Sequence, residues 1–127
     1  MKKQVVEEWL ERGKHDLEVA RFLLIKEEYS DVVLFHIHQA VEKYLKGFLI
    51  SRDWKLKKIH DLELLVTEAM FFNDEFQKYL DLGRKLTAFY YEERYPPGPI
   101  TYYSKEEIEE ILGIADEIIK ELKERIE

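Results

Sequence analysis

Residues 36–50 carry the side chains with the clearest potential for binding chemistry. Four polar residues recur there at spacings of three and four, namely His36, Gln39, Lys43 and Lys46. That spacing places them on one face of a helix, where ammonium groups and an amide could bind a phosphate if His60 or Arg94 converges on them. The alternative is an ordinary solvated face, because Glu42 and Lys46 also match an i, i+4 ion pair.

The two histidines of this segment do not predict a metal centre. His36 and His38 are two residues apart, so on a helix their side chains point about 200° apart and cannot share an ion. His38 and Glu42 could supply two ligands, but no third ligand lies nearby in the sequence. We therefore expect no metal and no other cofactor, and the alternative role for His38 is that of a buried, hydrogen-bonded core residue.

A basic stretch with one tryptophan follows. Residues 51–58 lose helical periodicity and surround Trp54 with cations: Arg52, Lys55, Lys57 and Lys58. An exposed indole ring among cations could stack on a nucleotide base, and the alternative is a solvated loop anchored by one ring. His60 then stands directly before Asp61, a residue type that often begins a helix.

Arg94 and Tyr95 stand where a helix must end, because Pro96-Pro-Gly-Pro99 follows them. There a guanidinium either caps the carbonyls of the last turn or projects into a cleft. The predicted ligand-binding residues are thus His38, Gln39, Lys43, Lys46, His60, Arg94 and Tyr95, and none has a catalytic role. The aromatic residues of this region suit a core or a dimer interface better than a base-stacking platform: Phe89, Tyr90, Tyr91, Tyr95, Tyr102 and Tyr103.

Two long helices are predicted in the first half of the chain. A continuous apolar stripe indicates the first helix over residues 5–27. Ser30 or Asp31 is the expected N-cap of the central helix, which fades near residue 51. Small residues such as Ala40 and Gly47 allow a neighbouring helix to approach closely. We expect the apolar side of the central helix to be packed and its polar side to stay free for a charged ligand.

Three further helices follow. Asp61 is the expected cap of a short helix to about residue 70, and Asn73 is the expected cap of a helix to about Arg94. Ser104-Lys-Glu-Glu107 matches a capping box for a last helix that ends near Arg125. No β pattern occurs, so the sequence predicts an all-α, antiparallel up-and-down bundle of about five helices, formed by residues 1–127 as a single domain.

Composition limits the classes of function. Apolar residues make up 46% and charged residues 37%, as expected of a packed globular domain. The net charge of -7 argues against broad electrostatic binding of nucleic acid, although a local basic patch is compatible with it. There is no cysteine, and no signal peptide or membrane span is visible, so a cytoplasmic location is expected. The low amide content, with one Asn and three Gln, is typical of heat-adapted proteins.

The order of these features resembles the HEPN family, the higher eukaryotes and prokaryotes nucleotide-binding domain, along nearly the whole chain. The resemblance rests on Trp9-Leu-Glu-Arg12, Asp16-Leu-Glu-Val-Ala20, His38-Gln-Ala-Val-Glu-Lys-Tyr-Leu-Lys46, His60-Asp-Leu62, Arg94-Tyr-Pro96 and Tyr103-Ser-Lys-Glu-Glu107. It implies an antiparallel helical bundle that commonly forms homodimers and is often encoded beside a minimal nucleotidyltransferase. The ligand class that it implies is a nucleotide or RNA.

Some HEPN proteins are metal-independent ribonucleases that use an arginine followed four to six residues later by a histidine. This sequence departs from that pattern. Two residues separate Arg12 from His15, and seven separate Arg52 from His60. Because the arginine must stabilise phosphate charge beside a histidine that transfers a proton, the departure favours binding over cleavage.

Three functions therefore follow as predictions. The first is a HEPN-like domain that binds a nucleotide or RNA, forms a homodimer and works with a nucleotidyltransferase as in a toxin–antitoxin pair. The second is a structural module that contacts a partner protein and has no small ligand. The third, ranked last because of the motif spacing, is a ribonuclease with a rearranged site.

Overall fold

A computed structural model describes residues 2–94 and 103–126, with the backbone alone at residues 91–94. Those residues form five α-helices and no strand. The helices are α1 (Lys2–Ile25), α2 (Ser30–Ser51), α3 (Leu62–Met70), α4 (Leu80–Arg94) and α5 (Lys105–Glu124), and a 3-10 helix (Asp74–Tyr79) leads into α4. The predicted all-α bundle is confirmed.

Helix α2 lies at the centre of the bundle. It packs against α1, α3, α4 and α5, and its apolar side chains are almost fully buried: Val33, Leu34, Ile37, Val41, Leu45, Phe48 and Leu49. The predicted sandwiched position of this helix is therefore confirmed. Its polar side was expected to be free, and that prediction is wrong at Lys46, which is 3% exposed. His36, Gln39 and Lys43 are partly buried.

Helix α1 packs closely against α2 at two glycines, one on each helix. The Cα of Gly13 faces the ring of Tyr44, and the Cα of Gly47 faces Leu10 of α1. A Cβ at Gly13 would lie 2.9 Å from the Tyr44 ring, closer than van der Waals contact allows. The close approach predicted at Gly47 is confirmed, and it brings the polar residues of α1 within hydrogen-bonding distance of those of α2.

Three predicted helix caps are present. Asp61 accepts hydrogen bonds from the backbone amides of Glu63 and Leu64 at the start of α3. Ser104 and Glu107 form the reciprocal capping box of α5. Asn73 caps the 3-10 helix rather than an α-helix, because the chain tightens for six residues before α4 begins at Leu80.

The predicted cap of α2 is wrong. Neither Ser30 nor Asp31 precedes the helix, since Tyr29 is its N-cap and makes no side-chain capping bond. Tyr29 and Glu27 adopt left-handed backbone angles, with φ of 44° and 56°. This tight turn between α1 and α2 is closed by backbone hydrogen bonds, including that from the Glu28 amide to the Leu23 carbonyl. Of the described helices, none has the length and apolar character that crossing a bilayer requires.

Two glycine substitutions should have opposite effects on stability. Gly13→Ala forces a methyl group against the Tyr44 ring, and overpacking of this kind costs about 1–3 kcal/mol in the free energy of unfolding. Gly113→Ala, on the exposed face of α5 with no atom within 4 Å of the added Cβ, should stabilise by up to about 1 kcal/mol. Urea titration followed by circular dichroism measures both, and equal effects would contradict the α1–α2 contact.

Candidate ligand-binding groove

An open groove lies where α1, α2 and the segment 52–61 meet. Its volume is about 540 Å³. It is lined by Glu8, Trp9, Arg12, Glu42, Lys43, Lys46, Leu56, Lys57, Lys58 and His60. Three of the residues predicted to bind a ligand, Lys43, Lys46 and His60, therefore line one groove, although they come from two separate elements.

Cationic side chains outnumber carboxylates in the groove. Five lining residues are lysine or arginine, against two glutamates, in a chain whose net charge is -7. Arg12 lines the groove from α1 and Lys58 lines it from the segment 52–61. Both side chains are exposed, and neither makes an ion pair with any described residue. Lys57 is 3.7 Å from Glu68, so its charge is partly matched. The groove is a local basic patch on an acidic protein.

Two of the four polar residues predicted on one face of α2 pair with the same carboxylate of α1. Lys43 donates to Asp16 of α1 over 2.5 Å, and His36 contacts the other oxygen of the same carboxylate over 2.9 Å. Asp16 thus bridges two positions of α2 that lie two turns apart. Gln39 contacts the His38 ring and does not line the groove. Half of the predicted polar strip therefore docks α1, and the other half makes contacts within α2.

A second network joins α2 to the segment that precedes α3. The carboxylate of Glu42 lies 2.9 Å from the ammonium group of Lys46 and 3.1 Å from Nδ1 of His60. Both Glu42 and Lys46 are about 95% buried, and Lys46 also lies over the ring of Trp9. A buried charge without a partner is costly, so each member of this pair requires the other.

His38 is the buried core histidine that the alternative interpretation described. Its Nε2 is 2.9 Å from the backbone carbonyl of His60, and since a carbonyl only accepts, Nε2 carries the proton. Burial is the main cause that lowers the pKa of His38, against the opposing influence of Glu42. The ring is therefore neutral at pH 7. It is 0% exposed and fixes the backbone of His60.

Helix α4 closes the back of this network. The Tyr90 ring stacks on His38 at 4.4 Å and lies 5.6 Å from the ring of His60. Arg94 is the last residue of α4, one turn beyond Tyr90, and its side chain lies outside the described part of the structure. Tyr95 and the proline loop are also outside the described residues, so their predicted roles stay predictions.

The aromatic residues behave largely as core. Phe89 and Tyr103 pack edge to face at 4.5 Å, and Tyr90 is buried. Trp54 packs partly buried against the core and does not line the groove, as the anchored-loop alternative described. Its indole Nε1 is buried and has no hydrogen-bond partner among the described residues. Tyr91, Tyr95 and Tyr102 lie outside the described side chains.

Several groove residues were absent from the predicted set. Trp9 and Arg12 come from α1, and no signal in the sequence around Arg12 shows that it lines the groove, because Asp16, four residues on, pairs with Lys43 instead. Glu42 was considered only as a metal ligand or as a helix ion pair. Within residues 2–94 and 103–126, no group of three or more acidic or histidine side chains could hold a metal ion.

Comparison with known proteins defines the family. A family model described as the HEPN domain matches residues 6–126, so the chain belongs to the HEPN domain family. The chain is 30% identical to MJ1304 of Methanocaldococcus jannaschii, a protein named as a candidate toxin. The match covers 91% of this chain and 84% of that protein. The crystal structure of ST0689, an archaeal HEPN homologue, superposes with a TM-score of 0.77 at 25% identity and covers 96% of this chain and 98% of that one.

The buried His38 should make stability depend on pH. Because its pKa is lowered in the folded state, the unfolded chain binds more protons as pH falls below the ordinary value of 6.5. The free energy of unfolding should therefore fall between pH 7 and pH 5, and His38→Gln should reduce that slope. Denaturant titrations at several pH values measure it. His15→Gln, a change at an exposed histidine on α1, is the matched control, and an equal effect of both substitutions would contradict the assignment.

Proposed function

We propose that this HEPN domain binds phosphate groups of a nucleotide or RNA in the groove between α1, α2 and the segment 52–61. The observation that carries the proposal is the excess of cations in one groove of a strongly acidic chain. Phosphate binding is driven by local positive charge, and a net negative surface elsewhere disfavours binding outside the groove.

The arrangement of the groove supports a phosphate ligand. Arg12 offers a planar guanidinium and Lys58 an ammonium group, and neither has an ion pair with another described residue. Lys43 also lines the groove, is 23% exposed and pairs with one carboxylate, so a second anion can approach its remaining donors. His60, with a side chain that is 45% exposed, stands at the same opening.

The biological setting belongs to the same proposal. We infer from the family resemblance that the chain works in the cytoplasm as the toxin-like member of a pair, with a nucleotidyltransferase protein as its partner. The name of the M. jannaschii relative points in the same direction. The further expectations of a homodimer and of heat adaptation remain predictions.

One observation favours the alternative of a protein-interaction module. The outer face of the C-terminal half of α1 exposes three large apolar side chains, Val19, Phe22 and Ile25, and Tyr29 follows in the turn. Phe22, Ile25 and Tyr29 are each at least 60% exposed. Exposed apolar groups at helical spacing commonly mark an interaction surface. None of these four residues lines the groove, so the two functions are compatible.

Substitution of the unpaired groove cations should weaken binding. Arg12→Ala and Lys58→Ala should each reduce affinity for a short single-stranded RNA about tenfold, the equivalent of about 1.4 kcal/mol, because each removes a charged hydrogen bond to phosphate. Isothermal titration at low salt measures the affinity. Lys55→Ala removes the same charge from the same segment outside the groove and should have little effect.

The wild-type titration decides whether the groove binds at all. ATP, GTP and RNA are tested up to millimolar concentration, and the absence of heat for every ligand would remove the binding proposal. A loss of affinity in Lys55→Ala equal to that in Lys58→Ala would show non-specific attraction instead of a site.

The exposed face of α1 should mediate self-association. Gel filtration with light scattering should give a mass about twice the chain mass of 15.4 kDa, and Phe22→Glu should return it to that of one chain. A charge in the centre of an apolar interface is poorly solvated, which is the physical reason for the effect. Co-expression with a nucleotidyltransferase tests the partner, and a mass equal to one chain for the wild type would contradict the homodimer.

A further inference from the structure

His60 is held more firmly than an exposed loop residue needs to be. Its backbone carbonyl accepts the hydrogen bond from His38, and its ring nitrogen Nδ1 lies 3.1 and 3.2 Å from the two oxygens of Glu42. The ring also lies 5.6 Å from that of Tyr90, at an interplanar angle of 23°. The imidazole is thereby fixed in position although its side chain is 45% exposed.

The contact with Glu42 determines which ring nitrogen faces the groove as an acceptor. A carboxylate that already accepts from Lys46 accepts from His60 as well, so Nδ1 carries the proton. No described residue forms a hydrogen bond with Nε2, and the ring lines the groove. When the imidazole is neutral, Nε2 therefore presents a lone pair to the groove, and a lone pair repels the anion that the surrounding cations attract.

The contact between Glu42 and the His60 ring is not needed to hold the backbone of His60 in place. His38 already holds the carbonyl of His60, and Asp61 already caps α3. The Glu42 contact adds a restraint on the ring itself, with a carboxylate placed where it stabilises an imidazolium. A phosphate oxygen beside Nε2 can bind well only if that nitrogen gains a proton and becomes a donor.

We propose that ligand binding in the groove is coupled to uptake of one proton at Nε2 of His60, with Glu42 as the positioning residue that stabilises the resulting imidazolium. This rests on the proposed function, because it requires an anion in the groove. The proton comes from solvent, no covalent bond changes, and the charged ring then donates a hydrogen bond to a phosphate oxygen. The coupling makes affinity increase as pH falls.

The charged groups that surround the ring set the sign of the coupling. Glu42 faces it from α2, and the remaining charged groups of the groove come from α1, α2 and the segment 52–61: Glu8, Arg12, Lys43, Lys46, Lys57 and Lys58. From α4, the titratable group beside the His60 ring is the phenol of Tyr90. A bound anion adds negative charge beside the ring and favours the imidazolium, so the proton and the ligand bind together.

The experiment uses a short RNA with a 5′-hydroxyl and a 3′-hydroxyl as the probe. Its phosphodiesters keep one negative charge each, whereas a terminal phosphate changes its own charge near pH 6. Calorimetric titration of the whole protein is made at pH 6, 7 and 8. At pH 7 it is repeated in buffers of different ionisation enthalpy, which gives the number of protons taken up.

The wild type should take up a positive fraction of one proton per chain, and its affinity should rise about fivefold or more from pH 8 to pH 6. One fully coupled proton would give about tenfold per pH unit. His60→Gln keeps an amide donor that does not titrate, so its affinity should vary less than about twofold over the same range. Glu42→Gln should reduce proton uptake while the ring remains present.

Two controls make the outcome decisive. His15→Gln, at an exposed histidine outside the groove, should retain the wild-type pH dependence. His60→Gln replaces a half-exposed ring, so it decides the question even if Glu42→Gln fails to fold. A pH dependence that persists in His60→Gln, or is absent from the wild type, would overturn the coupling and leave the binding function standing. Absence of binding at every pH would overturn both.

Discussion

The central constraint of this structure is that the middle helix of the bundle carries polar side chains that must be buried. Burial of an unpaired charge or hydrogen-bonding group costs more than most single apolar contacts contribute, so each such group on α2 has to find a partner. Asp16 of α1 meets Lys43, and Glu42 meets both Lys46 and His60. These pairings fix how α1 and the segment 52–61 lie against α2, in addition to the apolar contacts around them.

The groove is a consequence of the same constraint. Helix α1 and the segment 52–61 both contact α2 and leave an opening between them, where cations without an ion partner among the described residues remain. Lys43 and Lys46 have been neutralised by the pairings, and Arg12 and Lys58 have not. The local electrostatics therefore differ from those of the whole chain, whose net charge is -7. Net charge predicts little about a ligand when the charges are distributed so unevenly.

Features set by local sequence could be predicted, and features set by long-range pairing could not. Capping by Asp61 and Ser104 depends on residues within one turn, and the structure contains both caps. The predicted side-chain cap of α2 was wrong, because Tyr29, at positive φ, precedes the helix and backbone hydrogen bonds close the turn instead.

The candidate site shows the same division. Lys43 and His60 were predicted from residue type and position, and both line the groove. The sequence does not show that Asp16, 27 residues away, takes up much of the charge of Lys43. Arg12 was missed for the converse reason, because nothing in its own neighbourhood reveals that it lacks a partner. His38 resembled a ligand-binding residue and is a buried support for His60.

The positions of the two tryptophans give the molecule its own optical reporters. Trp9 lies in the wall of the groove, with the ammonium group of Lys46 5.7 Å from its ring centre. Trp54 belongs to the segment 52–61, which also carries His60, and packs partly buried against the core. Indole emission responds to nearby charge and to water. Trp9 is thus placed to register occupancy of the groove and Trp54 to register a displacement of the segment 52–61, without any chemical label.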